Sequence, residues 1–500
     1  MILAQVLELD PPAIDWWALS PQLVLVGAAL GLLVVRALTP WPMPDAVGTW
    51  VSVLAGVATF GVSYGLWLDV RDDGPRSVIA NALGVDGFSL FFTMLVAVTV
   101  VLTALLSDGY LARNRMLASE FHALLLCSAA GAVVMASAND LIVLFLGLET
   151  LSIGLYVMAA MQLLRMRSQE AAMKYFIMGA FSSAFLLYGV ALVYGATGST
   201  NLVAVRAFLV GTPLFDTTVL LVGFALLLTG LAFKVAAAPF HMWAPDVYQG
   251  APSPVSGYMA SAAKAAGFAA MLRVFFVAFG SYSVEWEPLV AVLAALTLVV
   301  GAVMAIVQTD VKRMLAYSSV NHAGFVLVAV AAASDAGTAA ALFYLFTYTL
   351  MIIGSFGVVA LVGTEVEGTH PLDRYRGLAR SRPLLAFAFT FFLLGQAGVP
   401  FTSGFVAKFL VIGAAVDAEN YVLAALAMLS AVVAAFMYLR IVLAMYRTPE
   451  AGEEAPQVRI PWASGLALAG AFAFTIVVGF LPQFFIEFSR DAVPVLLAGR

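Results

Sequence analysis

The chain has 500 residues, 63% hydrophobic and 11% charged, with a mean hydropathy of +1.00. That balance excludes a soluble globular domain, and a net charge of -5 spread over loops of both signs excludes a basic surface for nucleic acid. A lone cysteine in an apolar run, Cys127, excludes an internal disulfide and argues against a cysteine-held metal or iron-sulfur cluster.

Apolar runs of about 18 residues or more, long enough to cross a bilayer, follow one another along the chain. They predict an all-α polytopic membrane protein with about 14 transmembrane helices. The expected spans are 21–39, 47–68, 88–107, 117–137, 141–163, 171–195 and 218–238, then 255–279, 288–308, 312–333, 337–363, 383–415, 420–446 and 462–485. No basic residue precedes the first span, whose flank carries Glu8, Asp10 and Asp15, so it reads as a first helix and not as a cleaved signal peptide. Arg36, Arg113, Arg115, Arg165, Arg167, Lys312, Arg313, Arg374, Arg376, Arg380, Arg382, Arg447 and Arg459 are expected in loops on one side, which the positive-inside rule makes cytoplasmic. Opposite them stand Asp69, Asp72, Asp73, Asp216, Glu285, Glu287, Asp335, Asp417 and Glu419. Both termini are then expected outside, with Trp16 and Trp17 as interfacial anchors. The hydrophilic connections near 364–382 and 447–461 are too short to fold alone.

Within this apolar background Gly230–Arg273 holds two lysines, a histidine, an aspartate and four prolines. Pro239, Pro245, Pro252 and Pro254 remove backbone donors, which is tolerated at membrane depth only against protein or a wet cavity. A similar interruption recurs at Pro400, before Lys408, five helices later. Two proline-interrupted spans in corresponding places suggest an inverted repeat with discontinuous helices 7 and 12 and ion sites at the breaks.

Only five of the 24 basic residues are lysine: Lys174, Lys234, Lys264, Lys312 and Lys408. An ammonium inside a membrane helix costs roughly 2.5 to 3.5 kcal/mol on insertion scales. Unlike arginine, a buried lysine can exchange its proton near neutral pH. Lys234, Lys264 and Lys408 therefore read as proton-exchanging groups. Lys174, nearer a helix end, fits either that role or snorkelling to the cytoplasmic surface. Glu149, the carboxylate deep in LFLGLETLSIGLYVM, needs a proton or a cation, and Lys234 is its expected partner. A pair of this kind couples two titrations and can act as a switch; a static pair that fixes helix packing is the alternative. His322 and His241 stand where an imidazole could relay protons. His122 reads as a packing residue, His370 as part of an exposed loop, and Asp246 and Asp310 as helix caps or partners of nearby cations. No HExxH-type metal spacing and no glycine-rich phosphate cradle is present.

The segments FKVAAAPFHMWAPDVYQGAPSPVSGYMASAAKAAGF, LGLETLSIGLYVM, DVKRMLAYSSVNHAGF and GVPFTSGFVAKF together resemble the antiporter-like subunits of proton-pumping NADH:quinone oxidoreductase, respiratory complex I. The match covers helices four to thirteen in order. It implies two inverted five-helix repeats, 117–280 and 286–447, after three N-terminal helices in 1–110 and before a last helix at 460–485. Among three paralogues the wording is most similar to the smallest. The largest has a C-terminal extension with a lateral helix, expected to be absent here, and the middle one has a glutamate where this sequence has Lys408.

By resemblance, Glu149 and Lys234 match the input-side pair, Lys264 the central lysine and Lys408 the second-half lysine, with His322 where the siblings carry a polar relay. The family further implies no cofactor in this chain. NADH, FMN, iron-sulfur clusters and quinone belong to partner subunits. The implied partners are the other membrane and peripheral subunits of the complex, including neighbouring antiporter-like subunits and the lateral helix of the largest, in a bacterial cytoplasmic membrane. A subunit of a multisubunit sodium/proton antiporter, which shares the fold, is the alternative, as is a purely structural membrane scaffold.

Overall fold

Long stretches of Leu, Val, Ala and Phe without charge leave the backbone to satisfy its own hydrogen bonds, and at bilayer depth the helix does so within one segment. In a computed structural model of the chain, residues 14–39, 44–212, 217–363, 369–449 and 455–495 are described. Among them, 13 helices are long and apolar enough to cross a membrane. Helices one to six are Ser20–Leu38, Asp45–Asp73, Gly87–Arg113, Ala118–Ser137, Leu141–Ala160 and Met166–Thr197; helix seven begins as Thr218–Val235. Helices eight to eleven are Ser253–Ala278, Gly280–Ile306, Val311–Ala331 and Asp335–Val362, and thirteen and fourteen are Tyr421–Tyr446 and Trp462–Phe480.

The remaining expected crossing, helix twelve, is split into Pro383–Ala397 and Ser403–Asp417. Helix seven is split in the same way and resumes at Trp243–Gly250. Ala236 ends its first half in the left-handed region at φ 59, and Gly398 does so in helix twelve at φ 88. Glu8, Asp10 and Asp216, expected on the acidic side, lie outside the described residues.

The two five-helix halves are built alike. Helices four and five close on each other at glycines: a Cβ on Gly131 would meet Leu151 N at 2.4 Å, and one on Gly147 would meet Met135 N at 2.8 Å. Five helices on, nine and ten repeat the contact. A Cβ on Gly301 would meet Asn321 N at 2.5 Å, and one on Gly324 would meet Leu298 N at 2.8 Å. Within a membrane there is no hydrophobic drive between helices, so close backbone approach at small residues supplies the association. Helix ten ends up entirely enclosed, its most apolar window 100% buried, whereas helix one, on the rim, is 22% buried.

Three features differ from the sequence reading. The last span does not run to 485: helix fourteen stops at Phe480, the chain turns at Pro482, and a separate helix, Gln483–Asp491, follows. Its phenylalanines pack back on the bundle, Phe488 against Trp67 and Phe485 against Phe346. A short helix, Leu202–Gly211, and a two-stranded hairpin, Arg76–Val78 with Leu83–Val85, cover the ends of helices on the acidic side. Neither carries a long apolar run, which is why hydropathy passes them over.

Replacing Gly131 or Gly301 by Val should force the glycine-paired helices apart and lower the amount of folded protein recovered from membranes several-fold. Gly27→Val, on open space in helix one, should leave that amount unchanged.

Candidate functional site

Helix five carries Glu149 and, one turn on, Ser152. The Glu149 carboxylate accepts a short hydrogen bond from the Ser183 hydroxyl of helix six. Lys234, buried in the last turn of the first half of helix seven, donates from Nζ to Ser152 Oγ at 2.8 Å. The expected direct Glu149–Lys234 ion pair is therefore not formed among the described residues, because each group is held by a hydroxyl. Beside Lys234 lies a cavity of about 10 Å³, lined by Ser152, Tyr156, Ser182, Ser183 and Lys234 among others. That is close to the smallest space that admits one water.

The break after Lys234 does not leave its backbone groups stranded. Trp243 Nε1 donates to Phe233 O at 3.0 Å, and Ala238 N donates to Thr297 Oγ1 of helix nine at 2.9 Å. Polar closure of this kind is what permits irregular backbone at membrane depth. The stem of Lys234 lies on helix eight at Gly267, where a Cβ would meet Lys234 Cγ at 3.2 Å. Gly267 is one turn from Lys264.

Lys264 follows directly on a π-helical turn, Met259–Ala263, a local widening that often marks functional helices. It is 2% exposed. Its Nζ donates to both the carbonyl and the hydroxyl of Ser319 on helix ten, each at 2.6 Å.

Helix ten then continues the polar face. One turn past Ser319, His322 is hydrogen-bonded through Nδ1 to Tyr344 OH at 2.6 Å and through Nε2 to Tyr438 OH at 3.0 Å. Tyr438 OH meets Ser318 Oγ at 2.5 Å, and Gln396 Nε2 donates to Ser355 Oγ at 2.8 Å nearby. One further turn on, Phe325 presents its ring to Lys408 Nζ, 4.8 Å from the centroid. Lys408 donates to the carbonyl of Ala397 at 2.8 Å, a group freed by the break in helix twelve. Its stem covers Gly398, where a Cβ would meet Lys408 Cδ at 2.9 Å. Helix ten thus touches Lys264 at one level and Lys408 two turns later, with His322 between.

The partners of these amines decide what they can do. Among the described residues, Lys234, Lys264 and Lys408 make no ion pair; each binds a hydroxyl or a carbonyl. Such acceptors can be served by an ammonium or by a neutral amine, so a proton can leave without abandoning a buried carboxylate. Lys174 is arranged otherwise. Its side chain is 43% exposed in a polar cleft, and it pairs with Glu170 at 2.6 Å and Asp246 at 2.9 Å. Asp246 also pairs with Arg313 at 2.6 Å, as expected of an acid near a helix end. His241 is half-buried at the helix-seven break, 6.2 Å from the Tyr317 ring between centroids. His122 is packed between helices two and four, with Ser52 Oγ 3.0 Å from Nδ1. No group of three or more His, Cys, Asp or Glu is close enough to hold a metal among the described residues.

Two assignments are corrected. Lys312 is not a loop cation: it lies buried in the first turn of helix ten and donates to Ala251 O at 2.5 Å. His370 is not exposed. The segment after helix eleven folds back on helix ten, Val311 N donating to His370 O at 2.8 Å and His370 N to Asp310 Oδ2 at 2.8 Å. Asp310 also caps helix ten by accepting from Arg313 N. Burial, then the charges of Lys312, Arg374, Arg165 and Arg113, push the His370 imidazole well below its ordinary value.

One pair was missed altogether. Arg273 of helix eight and Asp86, the cap of helix three, form a two-pronged salt bridge at 2.9 and 2.7 Å with exposures of 0% and 1%. The guanidinium also lies over Phe88, 4.8 Å from its centroid. A lone arginine nine residues beyond Lys264 was the available signal; its partner is 187 residues away.

Arg273→Met should destabilise the fold by about 3 to 5 kcal/mol, since it strands Asp86 uncompensated. The double change Arg273→Met with Asp86→Leu should recover much of the loss, read from the thermal transition of the purified protein. For His370 the depressed value means that, as pH falls below about 6.5, the unfolded chain takes a proton that the folded one refuses. Stability is thus lost on acidification, and the difference in thermal transition between pH 7.5 and 5.5 should shrink in His370→Gln.

Residues 138–434 match the family described as NADH:quinone oxidoreductase/Mrp antiporter, TM. The NADH-quinone oxidoreductase subunit N of Trichlorobacter lovleyi is 39% identical over 479 residues, covering 96% of this chain and 97% of the relative. A chain in the structure of respiratory complex I from Thermus thermophilus with bound aureothin superposes with a TM-score of 0.78 at 34% identity, over 93% of this chain and 98% of that one. A chain of the Mrp complex from a Dietzia species reaches a TM-score of 0.83 at 22% identity over 96% of this chain and 97% of its own; that likeness is one of fold.

Proposed function

Since the chain belongs to the family of NADH-quinone oxidoreductase subunit N, an antiporter-like membrane subunit of proton-translocating complex I, we propose that Glu149, Lys234, Lys264, His322 and Lys408 form its proton path. The observation that carries this reading is helix ten, fully enclosed and in contact with Lys264 through Ser319 and with Lys408 through Phe325. A half-channel reaches Glu149 and Lys234 from one side. Transfer proceeds laterally past Gly267 to Lys264, along the Ser319–His322 face with its tyrosines, and out by Lys408 to the other side. Ser152, Ser319 and Tyr438 are the hydroxyls that join the steps. Lys174, in the surface cleft with Asp246, serves the mouth of the path.

Electron transfer from NADH to quinone in other subunits drives the cycle; FMN and the iron-sulfur clusters belong to those subunits too. Moving one charge against the membrane potential requires roughly 2.3 kcal/mol per 100 mV. One pKa unit is about 1.4 kcal/mol. A change in which lysine faces charge is therefore of the right size, and the open Glu149–Lys234 arrangement, each group on its own hydroxyl, supplies one: closing their gap into an ion pair would hold the proton on Lys234, and opening it would release it.

The natural setting is a bacterial cytoplasmic membrane with both termini on the outer side. Neighbouring antiporter-like subunits and the lateral helix of the largest subunit would flank the chain. Its organisation follows as three N-terminal helices (1–110), two five-helix units (117–280 and 286–447) and a last helix from 460.

Lys234→Ala and Glu149→Ala should each cut NADH-driven proton pumping several-fold in membrane vesicles while the complex still assembles. Lys264→Arg should be harmful because arginine keeps its proton; full activity would remove proton exchange at that position. Lys408→Glu inverts the charge beside Ala397 O and Phe325, so unchanged coupled activity would reduce that site to a structural one. Sodium-dependent exchange without NADH oxidation would favour the antiporter reading.

A further inference from the structure

Outside the lysine path, an apolar hollow lies between helices two, three and eleven and the Gln483–Asp491 helix. Its volume is about 430 Å³, within the size range of small-molecule sites. Along helix two it runs from Phe60 to Arg71, 11 residue steps or about 16 Å of helix. That is about half of a hydrocarbon core roughly 30 Å thick, the depth of one leaflet. The walls are apolar and largely aromatic, with Phe91 and Leu95 of helix three at the back and Phe488 of the terminal helix at the side.

The mouth is polar and of both signs. Arg71 stands exposed there with no hydrogen bond or ion pair among the described residues, and Glu487 and Asp491, one turn apart on the terminal helix, face the same opening. Glu487 Oε1 accepts from Gln483 Nε2 at 2.8 Å, and neither carboxylate is bridged to Arg71. A cavity one leaflet deep, closed by a helix lying at the interface, with a cation beside two separated carboxylates at its rim, matches one molecule class in charge and shape.

We propose that this hollow binds a phospholipid whose headgroup carries a primary ammonium. One acyl chain fills the aromatic slot, the phosphate lies on Arg71, and the ammonium lies between Glu487 and Asp491. The terminal helix is then the side wall of a lipid site as well as a cap on the bundle. An anionic headgroup without an amine would satisfy Arg71 but would meet the two carboxylates unfavourably.

The test uses the intact complex in vesicles containing a trace of phosphatidylethanolamine with a photoactivatable group on one acyl chain, and in parallel the same probe as phosphatidylglycerol. Cross-linked peptides are mapped by mass spectrometry. The expected result is ethanolamine-lipid labelling of residues 60–71, 91–98 and 484–488, at least five-fold stronger than with the glycerol lipid. Leu95→Trp, which fills the slot, and Arg71→Glu, a surface change, should each reduce it at least five-fold in assembled complex. Glu487→Lys with Asp491→Lys should reverse the preference toward the glycerol lipid. Equal labelling by both lipids, labelling unaffected by Leu95→Trp and Arg71→Glu, or no labelling because a neighbouring subunit occupies the slot would each overturn the proposal.

Discussion

What the architecture depends on is the way three buried amines are satisfied. Lys234, Lys264 and Lys408 lie where water is scarce, and each is bonded to an uncharged oxygen: Ser152 Oγ, both oxygens of Ser319, and Ala397 O. A carboxylate in those places would make the burial more comfortable and the proton immovable. Neutral acceptors keep each amine hydrogen-bonded in either protonation state, which is the property the proposed transfer chain needs. The broken helices follow from the same need. They place free carbonyls and hydroxyls at mid-depth without exposing backbone to lipid, as Ala397 O shows for Lys408 and the Trp243 and Thr297 bonds show around Lys234.

Helix ten joins the two halves because its neighbours enclose it on every side. Glycine contacts bring helix nine against it, Lys264 reaches it from the first half, and Lys408 from the second. Ser318, Ser319, His322 and Phe325 occupy successive turns of one helix, so their spacing is fixed by helical rise and not by loop geometry. The buried Arg273–Asp86 pair is the counterpart of this arrangement. There a cation meets a carboxylate directly, through two hydrogen bonds at 2.9 and 2.7 Å.

Much of this was legible in the chain. Apolar runs mark the 13 helices long enough to cross among the described residues and the split twelfth, since a bilayer imposes a length that sequence must obey, and Pro239 and Pro400 with their lysines mark both interrupted helices. What could not be read were relations that hinge on side-chain direction across distant segments. Glu149 and Lys234 stand on neighbouring helices, but whether they touch depends on how Ser152 and Ser183 point. Lys312 sits close to a helix end, where a charge-counting rule treats it as loop, while in the fold that end is tucked under Ala251. His370 was assigned to solvent because its segment is polar; backbone pairing with helix ten draws it inside. The terminal helix escaped notice because a short amphipathic piece adds little to a hydropathy sum.

The salt bridge between Asp86 and Arg273 ties helix eight, at one end, to the cap of helix three. Two π-helical stretches, Met259–Ala263 and Arg273–Ala278, lie along the same helix, the first immediately before Lys264. With that end pinned, helix eight holds Lys264 at a set height against Ser319 of helix ten. Helix three, through its cap at Asp86, thus helps to fix where that amine stands and is not merely casing.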